Sequence, residues 1–229
     1  IMVRRMVDLA IKELGIAKLR EKLDLPTNLL NAKEIMASIM ITAYQSTQNS
    51  SVETASAARK LAEFIGSTHY EWNIDIQVKR YCDTIETAIG RKLTWDQDDI
   101  TLQNIQSRSR SPIIWMLANI NHSLLLTTSN RSEGDVGYAT MDGDTSGSIS
   151  PIAAVDKHFI MEWLKYAERT LNYTALSQVN NLAPTAELRP IDKKQNDETD
   201  LMPYKVLVEI ERWAIQHKYS PLEIYKIMK

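Results

Sequence analysis

The 229-residue sequence predicts an α/β domain built on a mainly parallel sheet, and three observations lead there. Apolar runs of strand length alternate with helical patterns, the order that puts helices between parallel strands. Hydrophobic residues make up 44% and charged residues 24%, an ordinary globular balance. The length suits one large domain or two small ones, and no internal repeat divides it.

The elements follow in order. Residues 1–22 read as one helix, with Met2, Met6, Leu9, Ile16 and Ala17 on its apolar face and Gly15 weakening its middle. Pro26, Asn28 and Asn31 make 23–33 a loop, and 35–44 (IMASIMITAY) has the length and β-branching of a strand. Ser50 or Ser51 caps a helix over 52–65, which Gly66 stops. A second strand is expected over 69–76 and a helix over 78–93. A long helix follows over 98–121, kinked near Pro112. Residues 123–128 (SLLLTT) read as a short buried strand. Residues 183–190 and 191–201 read as loops, the second polar and mobile, and helices over 204–216 and 221–228 close the chain.

Charge and cysteine content exclude some function classes. Twenty-seven basic against 29 acidic residues leave a net charge of −2, with no general drive toward nucleic acid or anionic membrane. No apolar run approaches the ~20 residues that span a bilayer. The single Cys82 excludes an intrachain disulfide framework and fits a reducing compartment, so a cytoplasmic location is expected. The first residue is Ile1, with no basic-then-apolar leader, and the expectation is a fragment of a longer chain.

In parallel α/β folds ligands sit beyond the carboxyl ends of the strands, which directs attention to 45–51 and 129–147. The second stretch holds four of the seven glycines (Gly134, Gly137, Gly143, Gly147), residues that permit positive φ or close backbone approach. Four carboxylates, Glu133, Asp135, Asp142 and Asp144, accompany them.

Three groups carry candidate chemistry. Asn104 and Arg108 share a helix face and, with Arg110, suggest an anion site at a buried edge. Glu133 is placed to hold Mg²⁺ together with water and phosphate oxygens. Lys157 and Thr185 suit phosphate oxygens, one as a point charge and one as a hydroxyl donor. The four histidines are scattered and read as structural or exposed, and Cys82 as buried and inert.

Taken together, the run 127–157 (TTSNRSEGDVGYATMDGDTSGSISPIAAVDK) resembles the core of NAD synthetases. In that family a strand-end Thr precedes a Ser/Lys–Glu pair, a VGY-type triplet, a GD dipeptide and a PI…K segment. Residues 104–110 (NIQSRSR) resemble its NxxxRxR helix, 183–190 (APTAELRP) its PTAEL loop, and 195–204 (QNDETDLMPY) its Q-x-DE…Y segment. Residues 44–51 (YQSTQNSS) look like the glutamine-dependent branch. The resemblance covers about 35–215 and implies one synthetase domain over 1–229. The fold implied is a three-layer sandwich of the adenine-nucleotide-hydrolase, or ATP-pyrophosphatase, type.

The reaction implied is ATP-dependent amidation of deamido-NAD. Its carboxylate attacks the α-phosphate of Mg-ATP, pyrophosphate leaves, and ammonia (from glutamine in the full protein) displaces AMP. By the resemblance Glu133 would ligate Mg²⁺, and Lys157 and Thr185 would be catalytic, holding phosphate oxygens of ATP. Thr128 and Gln48 would also contact ATP, and Asn104, Arg108 and Asp144 would bind deamido-NAD. A homodimer with deamido-NAD across its interface is implied, with the apolar face of 113–120 as candidate dimer surface. The family's SGGxDS pyrophosphate loop and its glutaminase domain are not in this sequence, and both are expected upstream. Ser148 departs from the Gly or Asp common in relatives. The alternatives are another ATP-pyrophosphatase amidotransferase, GMP-synthetase-like, or a non-catalytic nucleotide-binding dimerisation module.

Overall fold

The computed structural model describes residues 1–193 and 195–229. The amino-terminal helical pattern forms two helices, α1 (Met2–Leu14) and α2 (Ile16–Lys22), because Gly15 takes φ +79 and ends the first. Asn31 then caps α3 (Ala32–Ile39) by accepting the Glu34 N–H at 3.1 Å. This corrects the strand expected over 35–44. Its first half is helical because the cap starts a helix and Ile35 and Met36 bury completely against α1 and α2. The packed face of α1 also differs from the expected one. Val3, Val7, Ala10 and Ile11 point inward, while Met2, Met6 and Leu9 are exposed. Arg4 fixes that rotation, with its guanidinium bonded to the Phe64 and Ile65 carbonyls at 3.3 and 3.1 Å and to Asp8 at 2.8 Å.

The strand begins later, as β1 (Ile41–Ser46). It pairs in parallel with β2 (Thr68–Asn73), from Ile41 opposite Thr68 to Ser46 opposite Asn73. The helix between them, α4 (Val52–Ile65), crosses over as parallel pairing requires. Ser51 is its cap and Gly66 its left-handed stop, both as expected. A Cβ on Gly66 would meet the Lys33 backbone at 2.8 Å, so glycine is required there twice over. Alternation of strand and helix thus gives the expected α/β class with a parallel sheet.

Helix α5 (Asp75–Ile89) leads to α6 (Trp95–Ile120), the longest helix described. The irregular backbone in α6 lies at Asp98 and not at Pro112, through which the helix continues. Asp98 is pulled out of helical geometry by Arg91, which binds it at 2.7 and 2.8 Å, and by the Thr94 N–H at 2.9 Å. The buried strand expected over 123–128 is reduced to one parallel bridge, Leu126 to Ile149, and Leu124 and Leu126 are exposed. Without a longer ladder among the described residues, its apolar side chains have no sheet face to cover.

The short α7 (Arg131–Asp135) is closed by a capping box between Asn130 and Glu133. Then come α8 (Lys157–Thr170) and α9 (Leu176–Asn180), which pack Ala167, Tyr173 and Leu176 into a second core with Leu61, Phe64 and Trp163. The 191–201 segment, expected as a loop, holds a 3₁₀ turn at Ile191–Lys193 and α10 (Asp197–Asp200), capped by Asn196; Lys194 lies outside the described residues. Helix α11 (Tyr204–Glu211) runs into a π-helical turn at Arg212–Gln216, and α12 (Pro221–Met228) opens on the Ser220–Glu223 capping box.

Candidate functional site

Beyond the carboxyl end of β1, the 127–147 run, α6, the start of α8 and the 185–200 segment enclose a cavity of about 630 Å³. Six of the eight site residues expected from sequence line it: Asn104, Thr128, Glu133, Asp144, Lys157 and Thr185. Gln48 and Arg108 do not. Gln48 is exposed, its N–H bonded to Asp75 at 2.9 Å, and exposed Arg108 gives its Nε–H to the Met141 carbonyl at 3.0 Å.

The wall from 127 to 147 is shaped by backbone proximity. Ser107 on α6 donates to Asp144 Oδ1 at 2.9 Å and accepts the Asp144 N–H at 3.1 Å. The Thr140 N–H binds the same carboxylate oxygen at 2.9 Å, and Thr140 Oγ1 donates to Asn104 at 2.8 Å. This fit demands a glycine beside it, since a Cβ on Gly143 would lie 2.3 Å from Ser107 Oγ. Of the four glycines in the stretch only Gly137 has positive φ; Gly143 and Gly147 are there for close approach.

Glu133 and Lys157 face each other. Lys157 Nζ donates to Glu133 Oε1 at 2.9 Å and stands 5.9 Å from the Tyr204 ring centre. The other carboxylate oxygen of Glu133 closes the α7 capping box, taking the Asn130 N–H at 3.3 Å. Beside them Asp197 is buried and accepts the Tyr204 hydroxyl at 3.0 Å, with the Tyr138 hydroxyl 3.3 Å away. Burial pushes the Asp197 carboxyl above its ordinary value; the tyrosine hydroxyls and nearby Lys157 oppose that shift without cancelling it.

The 185–189 run is fastened on three sides. Glu187 sits at φ +48 and accepts from Ser51 Oγ at 2.6 Å and Thr54 Oγ1 at 2.8 Å, at the start of α4. Its own N–H donates to Thr185 Oγ1 at 3.2 Å, which orients that hydroxyl. Gln106, buried in α6, donates to the Leu102 and Leu188 carbonyls at 2.7 and 2.6 Å. Its oxygen accepts from Asn49 at 2.9 Å and Thr47 at 3.2 Å. Arg189 grips Asp99 on α6 and Asp200 on α10, its closest contact to each at 2.9 Å. The Gln195 side-chain oxygen accepts the Leu188 and Arg189 N–H groups at 2.9 and 3.1 Å. The segment expected to be mobile is therefore tied down by side chains that sequence spacing does not pair.

Sequence reasoning assigned no role to Ser107, Tyr138, Arg189 or Asp197. All four belong to motifs quoted above, so the motifs held the signal. Their pairings did not show because Tyr138 and Asp197, for instance, are 59 residues apart.

Glu133 fits a Mg²⁺ that arrives with phosphates, which needs one or two protein carboxylates and takes its other oxygens from phosphate and water. A self-sufficient cage is a different matter: no group of three His, Cys, Asp or Glu able to hold a metal occurs among the described residues.

Comparison with known proteins gives this cavity a context. The pattern of the NAD synthase family matches residues 24–229. A glutamine-dependent NAD(+) synthetase of Oryza sativa subsp. indica is 36% identical over 213 residues, 86% of this chain and 29% of that protein. One from Aquifex aeolicus is 33% identical over 183 residues, 80% of this chain and 31% of that protein. The crystal structure of a glutamine-dependent NAD(+) synthetase from Cytophaga hutchinsonii matches with a TM-score of 0.86 at 48% identity, over 99% of this chain and 38% of that one. NMN synthetase from Francisella tularensis, 22% identical, shares the fold with a TM-score of 0.63 over 85% of this chain and 78% of that one. The fold is thus of the ATP-pyrophosphatase type expected from the motifs. The chain spans about a third of the length of the glutamine-dependent relatives it matches. Because the matched region takes in every residue that lines the cavity, the chain belongs to the NAD synthase family.

Proposed function

We propose that this chain is the synthetase part of a glutamine-dependent NAD synthetase, which amidates deamido-NAD to NAD at the expense of ATP. The observation that carries the reading is the gathering of Asn104, Thr128, Glu133, Asp144, Lys157 and Thr185 around one cavity in a member of this family. A carboxylate accepts an amine poorly until its oxygen becomes a good leaving group. ATP supplies that group: the deamido-NAD carboxylate displaces pyrophosphate from the α-phosphorus, and ammonia then displaces AMP from the acyl carbon.

The residues mainly bind, orient and neutralise. Lys157 is ion-paired with Glu133 and would turn its ammonium toward the phosphate oxygens. Thr185, with its oxygen held by the Glu187 N–H, has its hydroxyl proton free for a phosphate oxygen. Glu133 would hold Mg²⁺, which screens the charge on the departing pyrophosphate. Thr128 would contact ATP, and Gln48, in the loop tied to the cavity through Asn49 and Gln106, would reach its adenine. Asn104, Asp144 and Arg108 would bind deamido-NAD. A homodimer through α6 is part of the reading, supported by Met116 and Ile120 standing exposed. So is a cytoplasmic location, supported by the single cysteine. No described helix is long and apolar enough to cross a membrane.

The test is Glu133→Gln in the protein that carries this chain. Pyrophosphate release that depends on both deamido-NAD and Mg-ATP is expected in the parent, and to fall on the order of 10²-fold in the variant. Unchanged release in the variant would remove Glu133 from the site; no release in the parent would overturn the function.

A further inference from the structure

Nearly every charge on the cavity wall is matched within the protein. Lys157 has Glu133, Arg189 has Asp99 and Asp200, and Asp144 has the Ser107 hydroxyl and the Thr140 N–H. Asp197 has the Tyr204 hydroxyl. Arg110 is different. Its Nε–H donates to the Gln45 carbonyl at 3.0 Å, at the carboxyl end of β1. Among the described residues no carboxylate forms an ion pair with it, and its two terminal nitrogens have no hydrogen-bond partner. Burial pushes the Arg110 pKa down; Tyr44, Asp144 and Glu187 nearby oppose that shift without cancelling it.

A desolvated, unpaired guanidinium is costly, and a planar fork of N–H groups matches phosphate oxygens two at a time. The surroundings suit phosphate as well. Lys157 supplies a second positive charge on the same wall, and Ser129, Thr128 and Thr185 supply hydroxyls. Arg108, two residues earlier, is exposed and spends its Nε–H on the Met141 carbonyl. We infer that Arg110, and not Arg108, is the arginine through which this cavity binds phosphate, gripping a phosphate group of a di- or triphosphate ligand. The inference rests on the function proposed above for its two natural ligand sources, ATP and deamido-NAD.

The experiment is calorimetric titration of the protein that carries this chain with inorganic pyrophosphate, Mg-ATP and deamido-NAD, for the parent, Arg110→Gln and Arg110→Lys, with a thermal melt of each. Arg110→Gln is expected to lose roughly 10- to 100-fold in affinity for pyrophosphate and for the nucleotide whose phosphate it holds. Which of the two nucleotides weakens identifies the source. Arg110→Lys keeps the charge but not the fork, and is expected to fall between; it also serves if the glutamine variant does not fold. The melting temperature of Arg110→Gln should stay near that of the parent. A lower melting temperature with unchanged affinities would make Arg110 a brace for Gln45 and overturn the inference while leaving the proposed function standing. A parent that binds none of the three would overturn both.

Discussion

The layer of α1, α2 and α3 and the walls of the cavity are built from opposite materials. In the first, Val7, Leu19, Ile35 and Met36 are buried among other apolar side chains. In the second, the buried groups are polar: Gln106, Ser107, Thr140 and Asp197. Apolar burial is non-directional and tolerates repacking, and it accumulates roughly 1.5–3 kcal/mol for each large side chain hidden. A polar wall contributes less net stability per contact but fixes positions to a few tenths of an ångström, because each misplaced donor or acceptor keeps its full desolvation cost. The molecule thus divides labour: one region makes the chain fold, and the other holds side chains in place around a space.

If that division is real, substitutions on the two sides should differ in kind. Met36→Ala removes a fully buried side chain and is expected to cost about 2–5 kcal/mol in denaturant unfolding. The folded fraction should keep its ligand affinities. A loss below about 1 kcal/mol would mean that the apolar layer is not where stability resides. Gln106→Glu is nearly isosteric and should cost less, about 1–3 kcal/mol, because two carbonyls lose their donor and face a carboxylate. Its distinctive effect should be local: faster hydrogen exchange at the Leu188 and Arg189 amides, and weaker Mg-ATP binding through Thr185. Unfolding and exchange changed uniformly over the molecule would erase the distinction.

The same division explains what the sequence made legible. Helix 52–65 could be read to the residue, because cap, stop and apolar spacing are all local. The strand at 35–44 could not. Its β-branched, apolar composition is equally at home in a buried helix, and what decided was Asn31, read only as a loop residue. Residues 123–128 failed for the converse reason: strand composition does not make a strand without neighbours, and these residues make one bridge. At the site, motif order was enough to name six lining residues. It chose Arg108 over Arg110, which differ by two positions in one motif and by half a turn in direction, and it is Arg110 that lines the cavity. Nor could it find Arg189 or Asp197, whose partners are set by tertiary packing.

Asp197 sharpens the comparison most finely, because its cost depends on pH. Burial raises its native-state value above the ordinary 3.8, so the folded protein favours the protonated carboxyl more than the unfolded chain does. The linkage sign follows. The folded state takes up the proton, so this residue's contribution is most favourable below the ordinary value and is lost as pH climbs through the raised one. Asp197→Asn removes the titration and leaves an amide oxygen to accept the Tyr204 hydroxyl. The unfolding free energy of the variant relative to the parent should therefore rise as pH climbs above the ordinary 3.8, with a slope no steeper than about 1.4 kcal/mol per pH unit. Glu211 is also pushed up by burial, but it is present in both proteins and cancels in the difference. A slope of the opposite sign would mean that the tyrosine hydroxyls and Lys157 outweigh burial, and that this wall is built to hold a carboxylate rather than merely to tolerate one.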